Sequence, residues 1–285
     1  MNLCDRNEIQ ALLRRHGFRF DKGKGQNFLI EDWVPREIAY ASGADKTCGV
    51  LEIGPGIGPL TDELCKSAAK VVSVELDTRL YPILEETMAG YPHFSLLPGD
   101  IMKLDLCKLV REQFAGLRPL LCANLPYNIT SPVLTKIVEA GCFESVTVLI
   151  QKEVAQRICA RPGTADYGAF TLLMQYYTEP ELLFEVPSTC FLPAPKVTSA
   201  VIHCPVRKTP PVEVRDISCF WRTVRAGFAL RRKTLVNSLQ TGFDLPKEQL
   251  SQIISHCGLE PSVRGERLGL EEYARLSDAL YDVII

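Results

Sequence analysis

The sequence predicts an α/β fold, a mainly parallel sheet with helices on its faces, followed by a smaller all-helical part. Three observations predict it. Apolar runs of strand length alternate with helical stretches from Gly49 to Cys204. One of these strands, Gly49-Val50-Leu51-Glu52-Ile53, runs into Gly54-Pro55-Gly56-Ile57-Gly58 and then into a helix through Lys66. Past Lys208-Thr209-Pro210-Pro211 the strand patterns end, so the expected domains are 1–208 and 209–285.

The elements follow in order. The N-terminal stretch MNLCDRNEIQALLRRHGF reads as a short amphipathic helix, and its acids precede its bases without an apolar core, unlike a secretory signal. Asp21 to Ile30 is a loop with Lys22 and Lys24. It is either a solvated linker or a lid bringing basic and amide groups to a site. Trp33–Ser42 is a helix with Pro35 in its first turn. The glycine loop opens like a dinucleotide-binding unit, but its glycines fall at 54, 56 and 58 and depart from G-x-G-x-x-G. The strand Lys70–Asp77 ends in Glu75, about 20 residues past the loop, where an acid binds ribose hydroxyls. Asp77 is placed to cap the helix Thr78–Met88. The strand Phe94–Leu97 leads to Asp100, positioned to accept from an amino group of a base. Further strands at Pro119–Asn124 and Val146–Gln151 alternate with helices at Ser131–Ala140 and Lys152–Ala160. Leu182–Val186 and Val197–Cys204 complete the sheet. Between them three prolines hold a loop that presents Phe191, either to the core or as a stacking face. Helices at 220–230, 234–239, 247–257 and 271–284 make up the C-terminal part.

Composition narrows the function. No apolar run approaches the roughly 18 to 20 residues that span a bilayer. The eleven cysteines contain no C-x-x-C, and the four histidines add no ligand spacing, so reduced buried thiols in a cytoplasmic protein are expected and a metal is not. Net charge is −2, which does not advertise nucleic-acid binding as a whole. Yet Arg222, Arg225, Arg231, Arg232 and Lys233 sit together with no acid between them, a local positive field that the total conceals. A solvated helix end is the ordinary alternative.

The strand beginning at Pro119 ends in Asn124-Leu125-Pro126-Tyr127. Strand ends of this kind deliver groups to the rim of an open α/β sheet, where ligands bind. The cluster suits a flat base with an exocyclic amine. Asn124 Oδ1 can accept one N–H, a main-chain carbonyl held by Pro126 the other, and Tyr127 can stack. A simple Asn-Pro turn is the competing reading.

Taken together, GQNFL (25–29), LEIGPGIGPLT (51–61), VELD (74–77), GDIMKLD (99–105), NLPYNIT (124–130), FLPAPKVTSAV (191–201) and FALRRKTLVNSL (228–239) resemble the KsgA/RsmA-type small-subunit rRNA adenine dimethyltransferases along essentially the whole chain. The resemblance implies a class I, Rossmann-like S-adenosylmethionine-dependent methyltransferase domain and a helical C-terminal domain that binds rRNA. It implies cofactor contacts from Asn27, Leu29, Gly54, Gly56, Glu75, Asp100, Ile101 and Asn124. It implies a catalytic set of Asn124, Leu125, Pro126 and Tyr127, with Phe191 as the second stacking face. RNA contacts are expected from Lys22, Lys24, Arg222, Arg225, Arg231, Arg232 and Lys233. The implied substrate is two adjacent adenines in the 3′-terminal hairpin of 16S rRNA in the small ribosomal subunit, methylated by a monomer without metal or membrane. Because this cofactor carries no pyrophosphate, the departure from G-x-G-x-x-G fits. The close match of the segments at 191–201 and 228–239 favours the small-subunit type over the erythromycin-resistance type, which acts on the large subunit. Two other classes compete: a ribosome-assembly or transcription factor that only binds, and an NAD-dependent oxidoreductase. Intact Glu75, Asp100 and Asn124–Tyr127 disfavour the first, and the glycine spacing disfavours the second.

Overall fold

β2 (Cys48–Ile53) is apolar but for Glu52 and buried along its whole length, which places it inside a sheet covered on both faces. In the computed structural model, which describes residues 1–20 and 26–284, seven strands form that sheet in the order β4-β3-β2-β5-β6-β9-β7 among the described residues. Here β3 is Lys70–Glu75, β4 Phe94–Pro98, β5 Arg118–Asn124, β6 Ser145–Gln151, β7 Glu181–Val186 and β9 Ser199–Pro205. The strands from β4 to β6 pair in parallel, and β9 pairs antiparallel with both β6 and β7. A separate antiparallel pair joins β1 (Phe28–Leu29) to β8 (Phe191–Leu192). The chain runs outward from β2 through β3 to β4, then returns to lay β5 against the other side of β2. That reversal opens a crevice beyond the ends of β2 and β5, the place where open α/β sheets take ligands.

The helices of the sheet unit are α1 (Arg6–Arg15), α2 (Trp33–Ala41), α3 (Pro59–Ser67), α4 (Tyr81–Thr87), α5 (Leu106–Gln113) and α6 (Thr130–Ala140). Their local signals are clear. Asp5 caps α1 by accepting from the Asn7 and Glu8 N–H groups, and α1 buries Ile9, Leu12 and Leu13. The glycine loop turns into α3 through Gly58, which has a φ of 99°. A Cβ there would also lie 2.8 Å from Met88 Cε, so glycine is needed for both backbone and space.

Two helices fall outside the predicted pattern. α5 is amphipathic but only eight residues long, starting on the Asp105 cap and burying Leu106 and Leu109, and so short an element is easily read as part of a connection. α8 (Ala169–Tyr177) is the opposite case, so apolar that no polar face marks the helical period. Its Leu172 and Tyr176 belong to the core that Phe220, Leu235 and Tyr273 form. This corrects the expected boundary. The chain divides into residues 1–155 with 178–206, and residues 156–177 with 207–285. The first unit is therefore not continuous from 1 to 208; the break falls within α7 (Lys152–Ile158). The second unit contains α8, α9 (Ile217–Ala229), α10 (Leu235–Leu239), α11 (Lys247–His256) and α12 (Leu270–Ile284). No helix among the described residues is long and apolar enough to cross a membrane.

Candidate active site

The crevice holds a cavity of about 230 Å³. Its walls come from the glycine loop after β2, from Glu75–Asp77 after β3, from Gly99–Ile101 after β4, from Asn124–Ile129 after β5, and from Gln26–Leu29. Asn27, Leu29, Gly54, Gly56, Glu75, Asp100, Ile101, Asn124, Leu125, Pro126 and Tyr127 are thus gathered around one space, though they span a hundred residues of sequence. Gly56, with a φ of 62°, lets the Phe28 ring come so near that a Cβ would sit 3.1 Å from it.

The strand-end acids are fixed locally. Glu75 is 7% exposed, and its Oε1 accepts from the Asp77 N–H at 2.7 Å. Burial pushes its carboxyl up, partly offset by main-chain N–H groups, with the Asp77 charge adding to the rise. Asp77 caps the turn Thr78–Leu80 by accepting from the Arg79 N–H, as its position foretells. Asp100 likewise caps the turn Ile101–Lys103 through the Met102 N–H at 2.9 Å.

Sequence reasoning passed over Glu52. This carboxyl is 1% exposed, lines the cavity, and its Oε2 accepts from both Thr61 Oγ1 at 2.7 Å and Ser73 Oγ at 2.6 Å. Burial pushes its pKa up to about 7 against the pull of the two hydroxyls, with the Glu75 charge adding a little. The available signal is an acid in the middle of an otherwise apolar strand.

The β5 side of the cavity is assembled over longer distances. Asn124 Nδ2 donates to the Asn27 carbonyl at 3.4 Å, which turns Oδ1 into the acceptor that the amide has left to offer. Leu125 is buried, and its N–H donates to the Leu149 carbonyl. The Pro126 carbonyl accepts from the Ile129 N–H and from Thr130 Oγ1. Among the described residues no hydrogen bond engages the Leu125 carbonyl, which makes it the acceptor next to Asn124. Tyr127 Oη lies 2.6 Å from Ser199 Oγ, and burial raises the Tyr127 pKa while that contact lowers it.

Phe191 needs correction. Its ring is 1% exposed and packs with Leu29, Val186, Cys190 and Val201, away from the cavity walls. Pairing of β8 with β1 turns the residue inward, so it has no open face for stacking on a base. Lys22 and Lys24 lie outside the described residues. In the second unit all five clustered bases are exposed, but two are engaged there. Arg222 Nε donates to the Gly242 carbonyl and its guanidinium covers Phe243, and Arg231 donates to the Ala165 carbonyl. Arg225, Arg232 and Lys233 carry no side-chain hydrogen bond or ion pair among the described residues.

The lining chemistry separates the candidate cofactors. Glu52, Glu75, Asp77 and Asp100 line the cavity, and among the described residues no Lys or Arg does. A pyrophosphate there would meet carboxylates and, among the described residues, no cation. A sulfonium ligand with a ribose diol and an aminoacyl end suits them. Among the described residues no group of three His, Cys, Asp or Glu side chains comes together as a metal site would need. Fold and site define a class I S-adenosylmethionine-dependent methyltransferase. The sequence pattern of the family described as Ribosomal RNA adenine dimethylase matches residues 17–282, and the chain belongs to that family. It is 44% identical over 279 residues to the Ribosomal RNA small subunit methyltransferase A of Shouchella clausii, covering 96% of this chain and 94% of that one. It is 45% identical over 278 residues to the protein of that name from Geobacillus thermodenitrificans, covering 95% and 94%. Among solved structures, the 23S rRNA methyltransferase ErmE matches with a TM-score of 0.68 and 27% identity over 90% of this chain and all of that one. A dimethyladenosine transferase from Plasmodium falciparum matches with a TM-score of 0.72 and 23% identity, over 87% and 95%, a likeness of fold.

Proposed function

We propose that the chain dimethylates N6 of two adjacent adenines in the 3′-terminal hairpin of 16S rRNA, acting on the small ribosomal subunit during its assembly. Membership of the adenine dimethylase family supports the base and the chemistry, and the shared name of the relatives supports the small subunit. The observation that carries the reading is the Asn124 amide, whose Nδ2 is taken by the Asn27 carbonyl so that Oδ1 faces as an acceptor.

S-adenosylmethionine, when bound, supplies an electrophilic methyl group on a sulfonium. Glu75 would hold its ribose hydroxyls and Asp100 and Ile101 its adenine. Asn27, Leu29, Gly54, Gly56 and Asn124 would line the rest. The chain's own work is on the target adenine. N6 is a poor nucleophile because its lone pair is spread into the ring. Accepting one N6–H at Asn124 Oδ1 and the other at the Leu125 carbonyl favours a pyramidal nitrogen with its lone pair restored. Tyr127, held through its hydroxyl by Ser199, stacks on the base, and Pro126 keeps the turn rigid. The adenine must leave its stack to enter, as in other base-modifying enzymes. Alignment of N6 supplies most of the acceleration. The extra proton departs from N6 to water, so no strong base is needed, and the cycle repeats for the second methyl.

RNA binding falls to the basic cluster of the second unit, with Arg225, Arg232 and Lys233 the side chains most available to phosphates. So few contacts give modest affinity and a modest salt slope. A folded ribonucleoprotein surface that aligns several weak patches is therefore the preferred substrate over a free hairpin. The rRNA substrate supports action in the cytoplasm, and the chain is proposed to act as a monomer.

Mass spectrometry of small-subunit rRNA from cells with and without the protein tests the assignment; identical methylation at the paired adenines would overturn it. Labelled methyl incorporation into assembled subunits, protein-free rRNA and the isolated hairpin tests the substrate form. Arg231→Glu with Arg232→Glu is expected to impair methylation of subunits while cofactor affinity holds. Equal use of the isolated hairpin, or indifference to the double reversal, would count against it.

A further inference from the structure

The bond that orients Asn124 is long, at 3.4 Å, and its acceptor is a main-chain carbonyl ninety-seven residues away. Its strength therefore depends on what holds Asn27. On the C-terminal side the answer is β1, paired to β8, with the Ile30 N–H donating to the Cys190 carbonyl at 2.9 Å. On the N-terminal side it is the neighbouring side chain: Gln26 Nε2 donates to Asp77 Oδ2 at 2.8 Å. Asp77 is 2% exposed and is itself gripped by Arg79, with Nε 2.9 Å from Oδ1 and Nη2 2.5 Å from Oδ2. The same guanidinium donates through Nη1 to the Arg19 carbonyl at 3.3 Å and lies over the Phe18 ring.

We propose that Gln26 is a positioning residue for the methyl transfer: clasped by the Asp77–Arg79 pair, it fixes the Asn27 carbonyl and thereby the direction in which the Asn124 amide faces. An amide can turn over about its last torsion at little cost unless a neighbour distinguishes its two ends. Turned over, Asn124 presents N–H groups to the N6–H groups of adenine, donor against donor, and the acceptor is lost. Asp77 lies two residues beyond Glu75, whose Oε1 accepts from the Asp77 N–H. The clasp thus ties the base-facing amide to the strand end that faces the ribose. This inference rests on the proposed role of Asn124 as acceptor from N6.

The test uses full-length Gln26→Leu, Gln26→Glu, Arg79→Leu and Asn124→Ala. Single-turnover methyl transfer to assembled subunits is expected to fall about ten-fold in Gln26→Leu, equal to about 1.4 kcal/mol, while calorimetric cofactor affinity stays within about three-fold, a difference of about 0.7 kcal/mol. Arg79→Leu should fall in the same direction, and the double variant Gln26→Leu with Arg79→Leu should be little worse than Gln26→Leu, since the two act through one linkage. Gln26→Glu, which sets two carboxylates against each other, should be impaired, and adding Asp77→Asn should restore activity by reversing the polarity of the bond. In the cofactor-free protein the side-chain amide NMR signal of Asn124, assigned by its loss in Asn124→Ala, should shift in Gln26→Leu. Gln26→Leu added to Asn124→Ala should cause no further loss. A Gln26→Leu variant with a normal rate and an unmoved amide signal, beside an inactive Asn124→Ala, overturns this inference alone. A loss confined to cofactor affinity overturns it too, making Gln26 a direct cofactor contact. Normal turnover in Asn124→Ala overturns the underlying reading itself.

Discussion

The two sides of the cavity are built in different ways. On the β2–β3–β4 side the acids at the ends of β3 and β4 are held by their own neighbourhood: Glu75 by Asp77, Asp77 by Arg79, Asp100 by Met102, each two residues on. On the β5 side the partners come from far away, Asn27 for Asn124 and Ser199 for Tyr127, at separations of 97 and 72 residues. Short-range capping fixes the acids at the ends of β3 and β4 within their own turns. The β5 side is held by tertiary pairing, so its geometry depends on remote partners.

The strongest way to break this comparison is Asn124→Ala. Methyl transfer should fall by on the order of 100- to 1,000-fold, the usual cost of one acceptor or donor aimed at the transition state. The protein should stay folded and still bind the ribosomal subunit. Turnover assays alongside circular dichroism and subunit pull-down check it, and near-normal turnover would remove the distinction between the two sides.

The next largest effect is on stability and belongs to the β2–β3–β4 side. Glu52 in the folded protein has a pKa raised to about 7 by burial. Folded chains then hold a proton that unfolded chains release above the ordinary carboxylate range. The stabilisation is complete below about 4 and is lost as pH rises through about 7. Raising the pH from about 5 to 8 should cost the cofactor-free protein on the order of 2 to 3 kcal/mol more than it costs Glu52→Gln. Denaturant unfolding across that range measures it, and parallel pH profiles for the two proteins would show that Glu52 does not titrate in this way.

Glu75→Ala sharpens the same side. Losing charged acceptance of two hydroxyls, at roughly 1.5 to 3 kcal/mol each, should raise the cofactor dissociation constant by about ten-fold or more while RNA binding holds. An unchanged constant by calorimetry would remove the ribose role. The smallest effect is expected for Ser199→Ala, which frees the Tyr127 hydroxyl. A loss of about 1 kcal/mol, or roughly five-fold in rate with cofactor affinity intact, matches one modest hydrogen bond. A Ser199→Ala enzyme altered only in cofactor affinity would contradict the division between the two sides.

The same division explains what was legible in the sequence. The glycine loop, Glu75, Asp77 and Asp100 declare themselves because their roles depend on residues within a few positions. Asn124–Tyr127 were legible as a cluster at a strand end, but their partners were not, since no local pattern links residue 27 to 124 or 199 to 127. Phe191 was misjudged for that reason: only the pairing with Leu29 decides which way its ring turns. α8 was invisible because a helix apolar all round carries no periodic signal, and with it went the correct domain limits. Glu52 was visible as an acid in an apolar strand, but burial between Thr61 and Ser73 is a tertiary fact.

The first unit leaves its own fold after residue 155 and resumes at 178. Ser199 therefore leaves the ribosome only after the whole excursion has been made, and β9, which must pair between β6 and β7, comes last of all the sheet strands. Domains fold largely as their chains are made, and contacts distant in sequence close late. A nascent chain of this protein should form the β2–β3–β4 wall of its cavity well before it can grip a base. Competence for methyl transfer then waits for residues 199–205, when β9 closes the sheet behind Tyr127.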